Sequence, residues 1–238
     1  MTGCSLIRAG DQPGGTLASM QTVEIPWETG RAITGHLVEG DRRCGMLLAH
    51  GAGAGQDHPL VTRLRDGIAA DGYPVLTFNY PYMEAGRRQP DRPAVLLAAH
   101  KAAASWFKSE VTGHVILAGR SMGGRIASLL VADGERAEAL ICYSYPLHPP
   151  GRFDRLRVEH FSRIHVPMLF FVGGRDAFAR PDLVDLHLRP LPGATVEVIE
   201  AADHALGVLK RSGMTRDEAI ATVVRESLAW IESTLDCT

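Results

Sequence analysis

Ser121 stands between two glycines in Gly119-Arg120-Ser121-Met122-Gly123, directly after an apolar run and directly before a segment of small and apolar residues. A serine hydroxyl is a weak nucleophile until a base takes its proton, and it must stand clear of its own backbone to meet a substrate. Glycines on either side of a sharp strand-to-helix turn remove the Cβ atoms that would crowd it, which is the logic of the G-x-S-x-G elbow. Two further residues supply the rest of that chemistry: Asp176, after Gly173-Gly174-Arg175, and His204, after Ala201-Ala202-Asp203. A histidine can take the serine proton and later return it to a leaving group, while a carboxylate fixes the ring tautomer and stabilises the imidazolium. Asp182, Asp185 and Asp203 are alternative acids; Asp203 adjoins the histidine too closely in sequence to aim at its ring and is expected to be solvated.

Stabilising the oxyanion of acyl transfer needs backbone donors. One is expected at Met122, just after the nucleophile, and the other in His50-Gly51-Ala52-Gly53, at Ala52. His50 reads as a residue that stiffens this loop. The same stretch, continuing to Gly55-Gln56, lacks the Gly-Lys-Ser/Thr ending of a phosphate-binding loop and the third glycine of a dinucleotide fingerprint, which argues against nucleotide binding. Arg120 beside the nucleophile, and Arg87, Arg88 and Arg92 in a loop on the same side, could recognise a substrate anion or could pair with Glu84 and Asp91. His148 and His160 fall in a short irregular segment near the site; Arg120 and His148 are taken as candidate substrate-binding residues. No His, Asp or Glu cluster has zinc-ligand spacing, so no metal and no cofactor are expected.

For these residues to meet, the chain must carry them on the ends of neighbouring strands. Continuous apolar runs, the pattern of strands buried on both faces, occur over residues 44–49, 73–79, 114–118, 140–145 and 168–172, with a further strand at 195–199. Between them lie amphipathic segments that read as helices: 59–70 with Asp57 as N-cap, one ending near Lys108 with Val95, Leu96, Ala99, Ala103 and Trp106 on one side, 122–132, and 181–188. A helix over 215–235 with Thr215 and Glu218 in capping-box spacing closes the chain. Alternating strand and helix predicts an α/β fold with a mostly parallel central sheet and helices on both faces. Residues 21–25 and 32–38 read as an antiparallel hairpin at the sheet edge, turning over residues 26–30. Residues 146–166 have room for one small helix and for no large cap domain.

The composition fits a single domain over residues 19–238 behind an N-terminal arm of residues 1–18. A formal charge of -2 with acidic and basic residues interspersed gives no footprint for nucleic acid or an anionic membrane, leaving a small-molecule ester as the expected partner. No signal peptide or long apolar stretch is present, so a cytoplasmic location is expected. Cys4, Cys44, Cys142 and Cys237, far apart and without a C-x-x-C pair, read as reduced, mostly buried thiols.

The order serine, acid, histidine together with the elbow resembles the α/β-hydrolase superfamily in its small dienelactone-hydrolase-like branch. LAHGAGAGQDHP, FNYPYMEAGRRQPDRP, GRSMGGRIAS, YPLHPPG, GGRDAF and ADHAL are similar to a group within it that includes testis-expressed relatives and a subunit of a chromatin acetyltransferase complex. The resemblance implies Ser121 as nucleophile, Asp176 as acid and His204 as base, in a serine hydrolase acting on a small ester or thioester. The usual nucleophile of dienelactone hydrolases is cysteine, so Ser121 argues against a dienelactone substrate. The kinship with a complex subunit also motivates a second reading, a binding or scaffold protein that keeps the fold without turnover.

Overall fold

The computed structural model describes residues 19–111 and 114–235. The expected N-terminal arm, together with Cys4 and Cys237, lies outside the described residues. Eight strands form one sheet: β1 (Met20–Glu28), β2 (Arg31–Val38), β3 (Cys44–Ala49), β4 (Val75–Phe78), β5 (His114–Arg120), β6 (Ala139–Tyr143), β7 (Met168–Gly173) and β8 (Ala194–Ile199). Their spatial order is β1-β2-β4-β3-β5-β6-β7-β8. β1 and β2 pair antiparallel, β2 runs antiparallel to β4, and every later pair is parallel. The mostly parallel sheet with an antiparallel hairpin at its edge is therefore as the alternation of apolar runs requires.

The helices are α1 (Pro59–Ala69), the short α2 (Pro81–Glu84), α3 (Pro93–Glu110), α4 (Met122–Ala132), α5 (Pro181–His187) and α6 (Arg216–Thr234). α1 and α6 cover one face of the sheet, and α3 and α4 the other. Along β3 the side chains divide accordingly. Met46 and Leu48 join the core beneath α1 and α6, whereas Leu47 and Ala49 join the core beneath α3 and α4. Burial on both faces is why these strands read as continuous apolar runs rather than as alternating ones.

Local differences from the sequence reading have local causes. β1 continues through Glu28, with a register shift between Pro26 and Glu28, and only Thr29-Gly30 turns. An edge strand tolerates the missing N–H of Pro26. α1 is capped by His58, whose Nδ1 accepts from the Leu60 N–H, and not by Asp57, which lies exposed 3.2 Å from His36 Nδ1. The buried side of α3 is rotated toward Leu96, His100, Ala103, Ala104 and Phe107, leaving Val95 and Trp106 at its margin. That rotation brings His100 to the Tyr80 hydroxyl at 2.9 Å. Residues 146–166 carry one 3-10 turn, Glu159–Arg163, and no cap domain. Cys44 is disulfide-bonded, which corrects the expectation of a reduced thiol there; Cys142 is free and buried. Thr215 and Glu218 form both bonds of the expected capping box on α6.

Candidate active site

β5 delivers Ser121, and the turn into α4 is as sharp as the elbow pattern demands. Ser121 has φ 49° and ψ -111°, a conformation that L-residues rarely adopt and that persists only where the surroundings enforce it. The enforcement is visible in the backbone. Ser121 N–H donates to Tyr143 O on β6 at 2.9 Å, and Ser121 O accepts from Arg125 N–H. A Cβ on Gly119 would stand 2.3 Å from the Gly123 carbonyl carbon, and one on Gly123 would stand 2.4 Å from Ala49 O and 2.7 Å from His50 O. Glycine is thus required at both places by close backbone approach, and the start of α4 is pressed against the end of β3.

β7 delivers Asp176 and the loop after β8 delivers His204. His204 Nε2 lies 2.8 Å from Ser121 Oγ, and His204 Nδ1 lies 2.8 Å from Asp176 Oδ2. Asp176 is buried, and its Oδ1 accepts from the Phe178 N–H at 2.7 Å, so both carboxylate oxygens are engaged. The Phe178 ring packs against the His204 ring at 4.5 Å between centroids, covering one side of the imidazole. Sequence reasoning did not single out Phe178; the Asp-x-Phe spacing of an Asx turn is the signal that could have done so.

The competing carboxylates are engaged elsewhere. Asp182 pairs with Arg180 and Asp185 with Arg189 on the surface. Asp203 is not simply solvated, as its position suggested: its Oδ1 accepts from the Ala205 and Gly207 N–H groups. It thereby shapes the loop that carries His204, in which buried Leu206 adopts a positive φ of 56°.

The residues expected to supply oxyanion donors are also in the vicinity. Met122 is the first residue of α4, where helix geometry provides no intrahelical acceptor for its N–H. Ala52 follows His50-Gly51 in the loop after β3. His50 is fully buried: its Nδ1–H donates to Gly51 O at 2.8 Å and its Nε2 accepts from Tyr80 N–H at 3.2 Å, so one neutral tautomer is fixed. Burial is the main reason its pKa falls to about 4, with the Gly51 bond opposing and the charge of His58 reinforcing the shift. Behind it, Tyr80 bonds His100, whose pKa burial lowers to about 3. His50 is therefore structural, as read from the sequence, but the Tyr80–His100 support beneath it was not legible because both residues sit in unremarkable apolar surroundings.

The remaining candidates separate. Arg87 pairs with Asp91, while Glu84 accepts from Thr34 rather than from an arginine. Arg120 is half-buried and has no ion-pair partner among the described residues; its Nε is buried without an acceptor. His148 does not line an open pocket: it is fully buried, its Nδ1–H donates to Pro149 O, and its ring packs on Phe153 at 4.8 Å. Its Nε2 is buried without a hydrogen-bond partner. His160 bonds Ser128 beneath the 3-10 turn and serves the core. Among the described residues no group of three or more His, Cys, Asp or Glu could hold a metal ion, and no helix is long and apolar enough to cross a membrane.

Comparison with known proteins bears on the same region. Residues 42–232 match a family model described as an alpha/beta hydrolase domain. Similar solved structures include a dienelactone hydrolase from Anabaena variabilis, 18% identical, covering 92% of this chain and 100% of its own, with a TM-score of 0.72. A Xanthomonas campestris α/β serine hydrolase without a lid is 18% identical over 96% of this chain and 100% of its own, with a TM-score of 0.71. An esterase from Pyrococcus furiosus is 14% identical over 96% of each chain, with a TM-score of 0.73.

Proposed function

Since the chain belongs to the alpha/beta hydrolase domain family, we propose that it is a serine hydrolase cleaving a small acyl ester or thioester through an acyl-enzyme. The observation that carries this reading is the unbroken relay from Ser121 Oγ to His204 Nε2 and from His204 Nδ1 to Asp176 Oδ2, 2.8 Å at each step. His204 Nε2 takes the hydroxyl proton as Oγ attacks the acyl carbon, and Asp176 holds Nδ1–H and offsets the charge on the ring. The Met122 and Ala52 N–H groups receive the oxyanion. His204 then returns its proton to the leaving group, and the same base activates water to release the acid. Esters and thioesters are preferred over amides because the described residues include no large cap domain and similar structures include an esterase.

The test is labelling by a fluorophosphonate probe together with hydrolysis of short 4-nitrophenyl esters. Wild type should label and turn over, and Ser121→Ala should do neither. Retained labelling of Ser121→Ala would overturn the assignment of the nucleophile. A wild-type protein that labels with no serine probe and co-purifies with a stable partner would instead be a non-catalytic member of the family.

A further inference from the structure

Arg120 and Arg125 are half-buried arginines without an ion-pair partner among the described residues, each with its Nε buried without an acceptor, and of the two Arg120 adjoins Ser121. Arg63, Arg87, Arg163, Arg180 and Arg189 each have a carboxylate partner at the surface. Arg120, more deeply placed than these, has none among the described residues, and its Nε is buried without an acceptor. A guanidinium withdrawn from water without a counter-ion is held at a cost in free energy. Its position is set by the loop that would supply the second oxyanion donor: a Cβ on Gly51 would stand 2.7 Å from Arg120 Nη1 and 3.3 Å from Cδ. The Arg120 side chain therefore lies against Gly51, the residue preceding Ala52, and Arg120 itself is one position from the nucleophile in the chain.

Two more donors stand at the same end of the sheet, after β8 and after β3. Arg216, the first residue of α6, is exposed and donates from Nη2 to Ala205 O at 3.1 Å, so its charge is tethered to the residue after His204. His58 caps α1, whose first turn carries no acidic residue. Because its Nδ1 accepts from Leu60 N–H, the neutral ring carries its proton on Nε2, which is a donor. Burial, then the positive charges of Arg120 and Arg216, lower the His58 pKa. The negative charges acting on Arg120 are those of Asp176 and Asp203. Both are already committed, Asp176 to His204 and the Phe178 N–H, Asp203 to the Ala205 and Gly207 N–H groups.

We propose that Arg120, with Arg216, forms an anion subsite beside Ser121, so that the substrate is an ester or thioester bearing a carboxylate. This rests on the serine-hydrolase reading above. A guanidinium fork matches a carboxylate through two parallel N–H···O bonds. A monoanion is a better match than a phosphate dianion, since Asp176 and Asp203 already draw on the same positive field.

The experiment compares kcat/KM for 4-nitrophenyl hexanoate, for the 4-nitrophenyl monoester of adipic acid, which puts a carboxylate on the acyl side, and for 4-carboxyphenyl hexanoate against phenyl hexanoate, which puts it on the leaving side. 4-Nitrophenyl 6-aminohexanoate supplies the opposite charge. One of the two carboxylate esters should be preferred over its neutral partner and the aminohexanoate disfavoured. Arg120→Gln and Arg216→Gln should each reduce that preference ratio, by about 10- to 100-fold for Arg120→Gln, as expected for a charge-assisted hydrogen bond; the ratio cancels any loss common to all esters. Calorimetric binding of adipic acid monoanilide against hexananilide, with the Ser121→Ala protein, reads the subsite without turnover. Equal binding of the two anilides together with equal turnover of charged and neutral esters, or a preference that survives both substitutions, overturns the anion subsite. Selective binding of the monoanilide that is lost in Ser121→Ala/Arg120→Gln, in a protein that labels with no serine probe and cleaves no ester, upholds the subsite and overturns the hydrolase reading instead.

Discussion

Acidification should unfold this protein through the two histidines beneath the oxyanion loop. His50 is locked in one neutral tautomer, with Nδ1–H on Gly51 O and Nε2 facing the Tyr80 N–H, so a second ring proton would point one donor at another. His100 is fully buried against the Tyr80 hydroxyl. Burial lowers their pKa values to about 4 and about 3, from 6.5. A histidine whose folded value lies below its unfolded value leaves the unfolded chain binding more protons between the two, so stability falls as pH drops through 6.5 and levels off only below the folded value. Going from about pH 7 to about pH 5, each group should cost about 2 kcal/mol, and the pair about 4 kcal/mol, a large share of a typical domain's stability. Urea unfolding followed by tryptophan fluorescence at the two pH values measures the total. Buried His160, also lowered to about 4, adds a similar share, so His100→Asn, which keeps an acceptor near Nδ1 for the Tyr80 hydroxyl and cannot be protonated, should remove about a third of the dependence. The reasoning is refuted if His100→Asn loses as much stability on acidification as wild type, or if wild type loses less than about 1 kcal/mol.

Other expectations concern the relay and the last helix. Asp176→Asn keeps the shape of the acid but offers an amide where His204 Nδ1–H needs an acceptor; kcat on a short ester should fall by about four orders of magnitude while circular dichroism stays that of wild type. A loss of less than about tenfold would show that another carboxylate serves. Thr215→Ala removes the side-chain half of the capping box on α6, the Oγ1 that accepts from the Glu218 N–H, while the backbone N–H of residue 215 still reaches the Glu218 carboxylate; it should cost about 1 kcal/mol in urea unfolding.

Much of the site could be read from the chain because its requirements are local. Glycines at 119 and 123 are needed by contacts within the elbow and with the end of the neighbouring strand, and apolar runs that end in Ser121, Asp176 and the His204 loop announce strand ends. What escaped was set by tertiary contacts. His58 rather than Asp57 caps α1, because the Asp57 carboxylate is drawn to His36 from a distant strand. His100 is buried because Tyr80 brings it a hydrogen bond, which no periodicity in α3 encodes. The role of Asp203 depends on a five-residue loop folding back so that Gly207 N–H returns to its carboxylate. His148 reads as a candidate pocket residue from its place in the short irregular segment near the site, and no sequence signal announces that its ring is buried against Phe153 with Nδ1 on Pro149 O.

The contact of Gly123 with the end of β3 also bears on how the protein folds. The loop after β3 that holds Ala52 and the start of α4 at Met122 are distant in sequence, and their strands come together only when β3 and β5 pair in register from Cys44 with His114 to Ala49 with Gly119. A one-residue slip of that ladder would turn every β5 side chain to the opposite face and carry Gly123 away from Ala49 O. Parallel pairing across so long a stretch of chain is slow to form, because loop closure costs entropy before the contacts repay it. No fragment short of β3 through β5 can therefore present both halves of the proposed oxyanion hole, and during refolding the hydrolase activity proposed above should appear after secondary structure, as a late report that the centre of the sheet has found its register.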